Sequence, residues 1–160
     1  TGLLNHTSFK ERLRAEVART KRLNKVLTVG MIDIDHFKHV NDSHGHPAGD
    51  RVIRNLSRLL KQRLRGADVI GRYGGEEFAI VLVDTAIEAA VGVVDHIRKS
   101  FAALEQQAGE SVFRCTFSAG LAQSPPRMDA DSLIQAADEA LYQAKHDGRN
   151  RVRAAPSRAD

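Results

Sequence analysis

"RYGGEEFAIVLV", Arg72 to Val83, is the stretch on which the fold turns. Gly74-Gly75 separates a β-rich run, Val69 to Tyr73, from an apolar run, Phe78 to Val83. Two glycines between such runs read as a tight hairpin turn, which makes the two strands antiparallel neighbours. Glu76 and Glu77 then stand at the hairpin tip. Successive strand side chains point to opposite faces, so these carboxylates do not decorate one solvent surface, and one of them faces a partner. A plain turn with solvated acids accounts for the same letters when the stretch is taken alone.

Upstream, "VLTVGMIDID" (Val26 to Asp35) is a continuous apolar strand that ends in acids. Ahead of it, Ser8 and Glu11 have capping-box spacing and start a helix that runs to about Arg22. Between strand and hairpin lies a polar, His-rich connector, "HFKHVNDSHGH". Pro47 then opens a helix with apolar positions at Val52, Leu56, Leu59, Leu60 and Leu64. Beyond the hairpin, Thr85 and Glu88 form a second capping box, followed by a helix with Ile87, Val91, Val94, Ile97, Phe101 and Leu104 on one side. In "VFRCTFSAGL", alternation puts Phe113, Cys115, Phe117 and Ala119 on one face of a strand, so Cys115 reads as a core thiol and not a nucleophile. A Pro-Pro connector, a helix from about Ser132 to His146 and a short strand from Arg151 to Ala154 complete the pattern, with 154–160 expected as a flexible tail. Strands and helices alternate, but the hairpin forces antiparallel pairing. The expected class is therefore α+β and not a doubly wound parallel sheet.

A chain of 160 residues with 42% hydrophobic content suits one domain, residues 1–160. No apolar run has the length of a membrane span, and Thr1 is not followed by a signal-peptide pattern. The opening residues read as the lead-in to a helix, as expected of a fragment of a longer protein whose own membrane attachment stays open. Net charge of +4 favours anionic partners such as nucleotides, nucleic acid or a membrane surface. Aromatics are only 5%, without Trp, and no basic stretch is interleaved with rings, so a single-strand nucleic-acid platform is not expected. The single cysteine excludes an internal disulfide.

Asp33 and Asp35, two apart at the end of the first strand, share a face, with the Ile34 carbonyl between them. Oxygen donors at this spacing suit Mg²⁺, which takes one or two carboxylates and completes its shell with water and phosphate; two acids that merely end a strand in water fit as well. If the first strand lies beside the hairpin, Glu76 and Glu77 meet Asp33 around one or two cations. His36, His39, His44 and His46 invite a zinc reading, but no cysteine lies nearby and the spacing is not that of a zinc site. Lys38, His46, Lys145 and Arg149 fit phosphate contacts better, Lys145 and Arg149 being four apart on a helix end. Cations at a helix C-terminus are also favoured without any ligand. Asp50 reads either as an acid in the first turn of a helix or as a base reader. Guanine presents two adjacent donors to a carboxylate, and Asn41 offers a donor to guanine's acceptors, a match that adenine lacks.

"GGEEF" (Gly74 to Phe78), "DIDHFKHVND" (Asp33 to Asp42), "GHPAGD" (Gly45 to Asp50) and "YQAKHDGRN" (Tyr142 to Asn150) together resemble the GGDEF domain of the diguanylate cyclase family. "TGLLNH" resembles that family's usual start, and the likeness runs from Thr1 to about Arg153. The resemblance implies an antiparallel sheet surrounded by helices, like nucleotidyl-cyclase and polymerase palm domains with a ferredoxin-like core. It implies condensation of two GTP to cyclic di-GMP with release of two pyrophosphates, using Mg²⁺, with Mn²⁺ as a substitute. By the same resemblance, Asp33, the Ile34 carbonyl and Glu76 match metal ligands. Glu77 matches a second metal ligand or the base for the 3′-hydroxyl. Asn41 and Asp50 match guanine contacts; Phe37, Lys38, His46, Lys145 and Arg149 match triphosphate contacts, some through backbone N–H. Glu76 stands where the family name has Asp, which keeps a carboxylate. "RGAD", Arg65 to Asp68, matches an RxxD product-inhibition site, and His96 stands where many relatives have a further arginine. The family further implies a homodimer with one GTP on each copy, an N-terminal sensor or dimerisation domain, a bacterial cytoplasmic setting, and no nucleic-acid or membrane contact by this domain.

Overall fold

The computed structural model describes residues 2–156. Leu27–Ile34 forms β1, buried at every position. It is the middle strand of a five-stranded sheet ordered β2-β3-β1-β6-β7, where β2 is Val69–Arg72, β3 Glu77–Val83, β6 Phe117–Ser124 and β7 Val152–Ala154. β1 pairs antiparallel with β3 and β6, β2 pairs antiparallel with β3, and only β7 runs parallel to its neighbour β6. The mostly antiparallel sheet expected from the hairpin is therefore present.

Two layers of helix cover the sheet because its strands alternate apolar side chains between faces. Ile32, Ile34, Phe78, Ile80 and Leu82 pack on one side with α3 (His46–Arg63) and α4 (Ile87–Ala103). Val29, Met31, Ala79 and Val81 pack on the other with α1 (His6–Arg22) and α5 (Ala130–His146). Burying a large aliphatic side chain contributes about 1.5–3 kcal/mol, so this double-sided core dominates stability. α5 lies so close to β6 that a Cβ on Gly120 would stand 2.1 Å from the Ala137 carbonyl oxygen and 2.1 Å from the Leu141 nitrogen. Outside the sheet, Leu4 brackets β2: its N–H donates to the Ile70 carbonyl (3.3 Å) and its own carbonyl accepts from Arg72 (2.8 Å).

Several boundaries differ from the sequence reading. α1 starts at His6, capped by Asn5, whose side chain accepts from the Ser8 N–H (2.8 Å); Ser8 lies inside the helix instead of capping it. α4 begins at Ile87 without a side-chain cap of its own, and Gln123 supplies the missing acceptor for the Ile87 N–H (2.8 Å). The His-rich connector is not a loop. It contains α2, Phe37–His44, entered through His36 in a left-handed conformation (φ 55°) and left through Gly45 (φ 88°). The stretch around Cys115 is divided between β5 (Ser111–Phe113), which pairs with β4 (Gln106–Ala108), and β6, so Cys115 sits in the link between them, buried as expected of a core thiol. Beyond β7, the Ala155 N–H still bonds the Leu121 carbonyl (2.7 Å) and the Pro156 carbonyl accepts from Arg127 (2.9 Å). Thr1 and the expected tail from 157 onward lie outside the described residues.

No described helix is long and apolar enough to cross a membrane.

Candidate active site

Strand register brings the acids together. Asp33 is the cross-strand partner of Glu77, and the Ile34 N–H donates to the Glu76 carbonyl (3.3 Å). The hairpin that carries the glutamates is wider than a two-residue turn. Arg72 pairs with Phe78, the Tyr73 N–H bonds the Glu77 carbonyl (2.8 Å), and Arg72 Nη2 donates to the Gly75 carbonyl (2.7 Å). Neither Gly74 nor Gly75 takes a positive φ, and a Cβ on Gly75 would meet nothing within 4 Å, so the turn is open at its tip.

Burial sets the electrostatics. Asp33 is only 6% exposed, and desolvation pushes its carboxyl above the ordinary range, opposed by the hydrogen bond and charge of Lys145. Desolvation likewise raises Glu76 and Glu77, and the negative charge of Asp33 adds to both. Lys145 Nζ donates to Asp33 Oδ2, while Asp33 Oδ1 is buried without a partner. Lys145 thus lies against a carboxylate and not, as the sequence suggested, beside Arg149 on one helix face. α5 ends at His146, and Arg149 follows it with φ 63°. Asp138 of α5, which sequence reading passed over, adds its charge to Glu77 and is itself held above the ordinary aspartate range by burial.

Asp35 has a different task from Asp33. At 5% exposure it accepts from Thr116 Oγ1 (2.6 Å), Ser118 Oγ (2.7 Å) and the Asn150 N–H (3.0 Å). Every oxygen is engaged, so the Asp33/Asp35 pair does not offer two free carboxylates. Asp35 instead ties the loop after α5 to the sheet.

α2 and α3 supply the other side. The first helical bond of α2 runs from the Val40 N–H to the His36 carbonyl (3.1 Å), which leaves the N–H groups of Phe37, Lys38 and His39 without an intrahelical acceptor. Asn41 carries a buried amide oxygen without a partner. It presses on Gly49, where a Cβ would stand 2.0 Å from Asn41 Oδ1, and Asp50 follows on exposed helix. Since α3 begins at His46, Asp50 lies past the first turn, where a favourable helix-dipole position does not explain it. His46 and Lys38 are exposed nearby in sequence.

The acids suit a hard divalent cation. Three carboxylates raised by burial and by neighbouring acids, one of them with an unpartnered oxygen, make the chemistry of an oxygen-donor site. Among the described residues no three acidic or histidine side chains already form a cage. Mg²⁺ does not require one, since it keeps waters and takes further oxygens from phosphate. The four histidines are not gathered into a zinc site either: His44 stacks on Phe113 (4.0 Å) and His39 contacts Ser43 (3.3 Å).

On the far end of the sheet, Arg65 and Asp68 make more than a solvated ion pair. Asp68, whose side chain is 3% exposed, accepts from the backbone N–H groups of Arg65 (2.9 Å) and Val83 (3.1 Å) as well as from the Arg65 guanidinium (3.3 Å). Arg65 also donates to Thr85 Oγ1 (3.0 Å). The two line a groove of about 280 Å³ with Arg63, Ala89 and Val93. His96 contacts Arg63 (2.6 Å) at its border.

The sheet carries its acids where the β2–β3 hairpin meets the end of β1. The family profile for the GGDEF domain, described as diguanylate cyclase, matches residues 1–151. The chain belongs to this family. It is 40% identical over 155 residues to the diguanylate cyclase DgcP of Pseudomonas aeruginosa, covering 97% of this chain and 23% of that protein. The chain therefore spans under a quarter of that relative's length. The GGDEF domain of DgcB from Caulobacter crescentus, solved in complex with c-di-GMP, superposes with a TM-score of 0.92 at 32% identity, covering 96% of this chain and 89% of that one. The active GGEEF domain of a diguanylate cyclase from Vibrio cholerae superposes with a TM-score of 0.91 at 36% identity, covering 96% and 98%. That domain carries the same GGEEF variant.

Proposed function

We propose that the chain condenses two GTP into cyclic di-GMP, with Asp33, Glu76 and Glu77 at the reacting centre. The observation that carries this is the Asp33–Glu77 register, which sets the buried, unpartnered Oδ1 of Asp33 beside the half-buried Glu77 at the glycine hairpin. Asp33, the Ile34 carbonyl, Glu76 and Glu77 would hold Mg²⁺, or Mn²⁺ in its place, which when bound lowers the pKa of the attacking 3′-hydroxyl and neutralises charge on the α-phosphate.

The chain's own residues do the rest. Asp50 accepts from guanine's paired donors and Asn41 completes the base contact. Free N–H groups at the start of α2, those of Phe37 and Lys38 among them, face the triphosphate as helix N-termini face anions. Lys38, Lys145 and Arg149 add positive charge along it, and His46 adds a ring nitrogen for hydrogen bonding. Glu77, raised by burial and by Asp33, moves toward the pKa of a base that works near neutrality and takes the 3′-hydroxyl proton. Each chain has one Asn41–Asp50 pair while the product has two guanines, so two copies meet face to face. Cyclic di-GMP is proposed to return to the groove at Arg65 and Asp68 as an inhibitor. A site that consumes GTP works on the cytoplasmic side, where that nucleotide is held.

The test is incubation with GTP and Mg²⁺, alone and fused to a leucine zipper, with product identified by mass spectrometry. Cyclic di-GMP from the fusion, lost in Glu77→Gln while binding of GTP persists, is the expected result. No product from either form, with GTP or cyclic di-GMP still bound, overturns the reading in favour of a receptor domain.

A further inference from the structure

Arg149 and Asn150 are consecutive non-glycine residues with left-handed φ, 63° and 48°. Side-chain-bearing residues hold such backbone only where the surroundings over-determine it. Two grips do so at Asn150. Its N–H donates to buried Asp35 (3.0 Å), and its Oδ1 accepts from Arg98 Nη1 (2.7 Å). Arg98 comes from α4, is itself only 14% exposed, and is anchored by donating Nε to Asp95 Oδ1 (2.7 Å). One grip fixes the backbone of Asn150 and the other its side chain, and together they set the direction in which the preceding residue leaves the chain. That residue is Arg149, whose charge acts on Asp33.

We propose that Arg98 is a positioning residue: through Asn150 it aims Arg149 at the polyphosphate of a nucleoside triphosphate. The inference rests on the reading of Arg149 as a triphosphate contact. Arg98 touches no substrate itself. It belongs to the helix that also carries His96, so the face of α4 at the Arg65 groove and the loop behind the carboxylates share one rigid element.

The experiment is a double-mutant cycle on the whole chain, read by calorimetric titration with a non-hydrolysable GTP analogue and Mg²⁺, with thermal unfolding recorded for each variant. Arg98→Ala is expected to weaken binding roughly five- to tenfold, and Arg149→Ala by at least as much. The double variant should bind no more weakly than Arg149→Ala alone. Asn150→Gly keeps the N–H bond to Asp35 and tolerates the left-handed backbone while removing the acceptor for Arg98; it should match Arg98→Ala, and it carries the test if Arg98→Ala unfolds. Additive losses in the double variant, or wild-type binding in Arg98→Ala or Asn150→Gly, overturn the role of Arg98 while leaving the nucleotide site standing. Failure of the unaltered chain to bind the analogue overturns both.

Discussion

Gly120→Ala adds one methyl group where α5 crosses β6. The backbone of Gly120 is not left-handed, so alanine is permitted there and the effect is purely steric. The new Cβ would lie 2.1 Å from both the Ala137 oxygen and the Leu141 nitrogen and 2.8 Å from the Ala140 carbonyl carbon, all backbone atoms that no rotamer change can move. Relief requires the helix to lift by roughly 1 Å along a face where Leu133, Ala137, Leu141 and Ala144 are buried, and gaps of that size forfeit a quarter to a half of each contact. Overpacking costs about 1–3 kcal/mol, and rigid neighbours put this site at about 3 kcal/mol, less the 0.5–1 kcal/mol that alanine gains by restricting the unfolded chain. At about 2–4 °C per kcal/mol, the net loss lowers Tm by roughly 4–10 °C. Gly30→Ala is the internal control. The nearest atoms to its Cβ are side-chain atoms of Ile80 and Leu121 and not backbone, and side chains yield more readily than a helix backbone, so about 1 kcal/mol is expected. Urea denaturation of both variants at constant m measures this. Equal effects, or a Gly120→Ala loss under about 0.5 kcal/mol, would refute the argument that backbone contact sets the cost.

Gly49→Ala drives a Cβ into Asn41 Oδ1, so analogue binding should fall tenfold or more, with a stability loss of about 1–2 kcal/mol; unchanged binding would detach Asn41 from the base site. Because burial raises the Glu77 pKa in the folded chain, its carboxyl stabilises the fold below the ordinary glutamate pKa, and this contribution is lost as pH rises through the raised value. Glu77→Gln should therefore melt above wild type at pH 7.5, with the gap closing toward pH 4; a variant melting lower at pH 7.5 contradicts the electrostatics. Asp68→Ala strands the N–H groups of Arg65 and Val83 and should cost about 1–3 kcal/mol, so product inhibition is better probed with Asp68→Asn. Cys115, buried and pushed up to about 11, should resist a thiol reagent at pH 8 until the chain is unfolded, since roughly one thiol in a thousand is then ionised.

The sheet was legible because its signals are local: a glycine hairpin between apolar runs, and a buried strand ending in acids. α2 escaped notice since Val40 is its one fully buried residue, too few for a helical stripe, and its polar surface imitates a loop. Capping misled for a similar reason: at both expected capping boxes the spacing was present, but Asn5 outcompeted Ser8, and Gln123 reaches across from a distant strand to the start of α4. The acids of the candidate site were readable because Asp33 stands near the end of β1 and Glu77 at the start of β3. The separate duty of Asp35 was not, since its partners Thr116, Ser118 and Asn150 lie 81, 83 and 115 residues away, and only the folded sheet makes them neighbours. RGAD announced its position but not the hydrogen bond that the Val83 N–H donates to the covered Asp68 side chain, since Val83 lies on β3.

Both margins of the sheet are short. β2 has four residues and is bracketed by Leu4, and β7 has three. Such margins give a second copy little to zip onto, so strand exchange is a poor route to a pair. In the proposed reaction the encounter is left to two nucleotide-laden faces. Output then follows the square of local copy number while pairing is sparse, and doubling the crowd quadruples the signal. A domain built this way answers to crowding more steeply than in proportion.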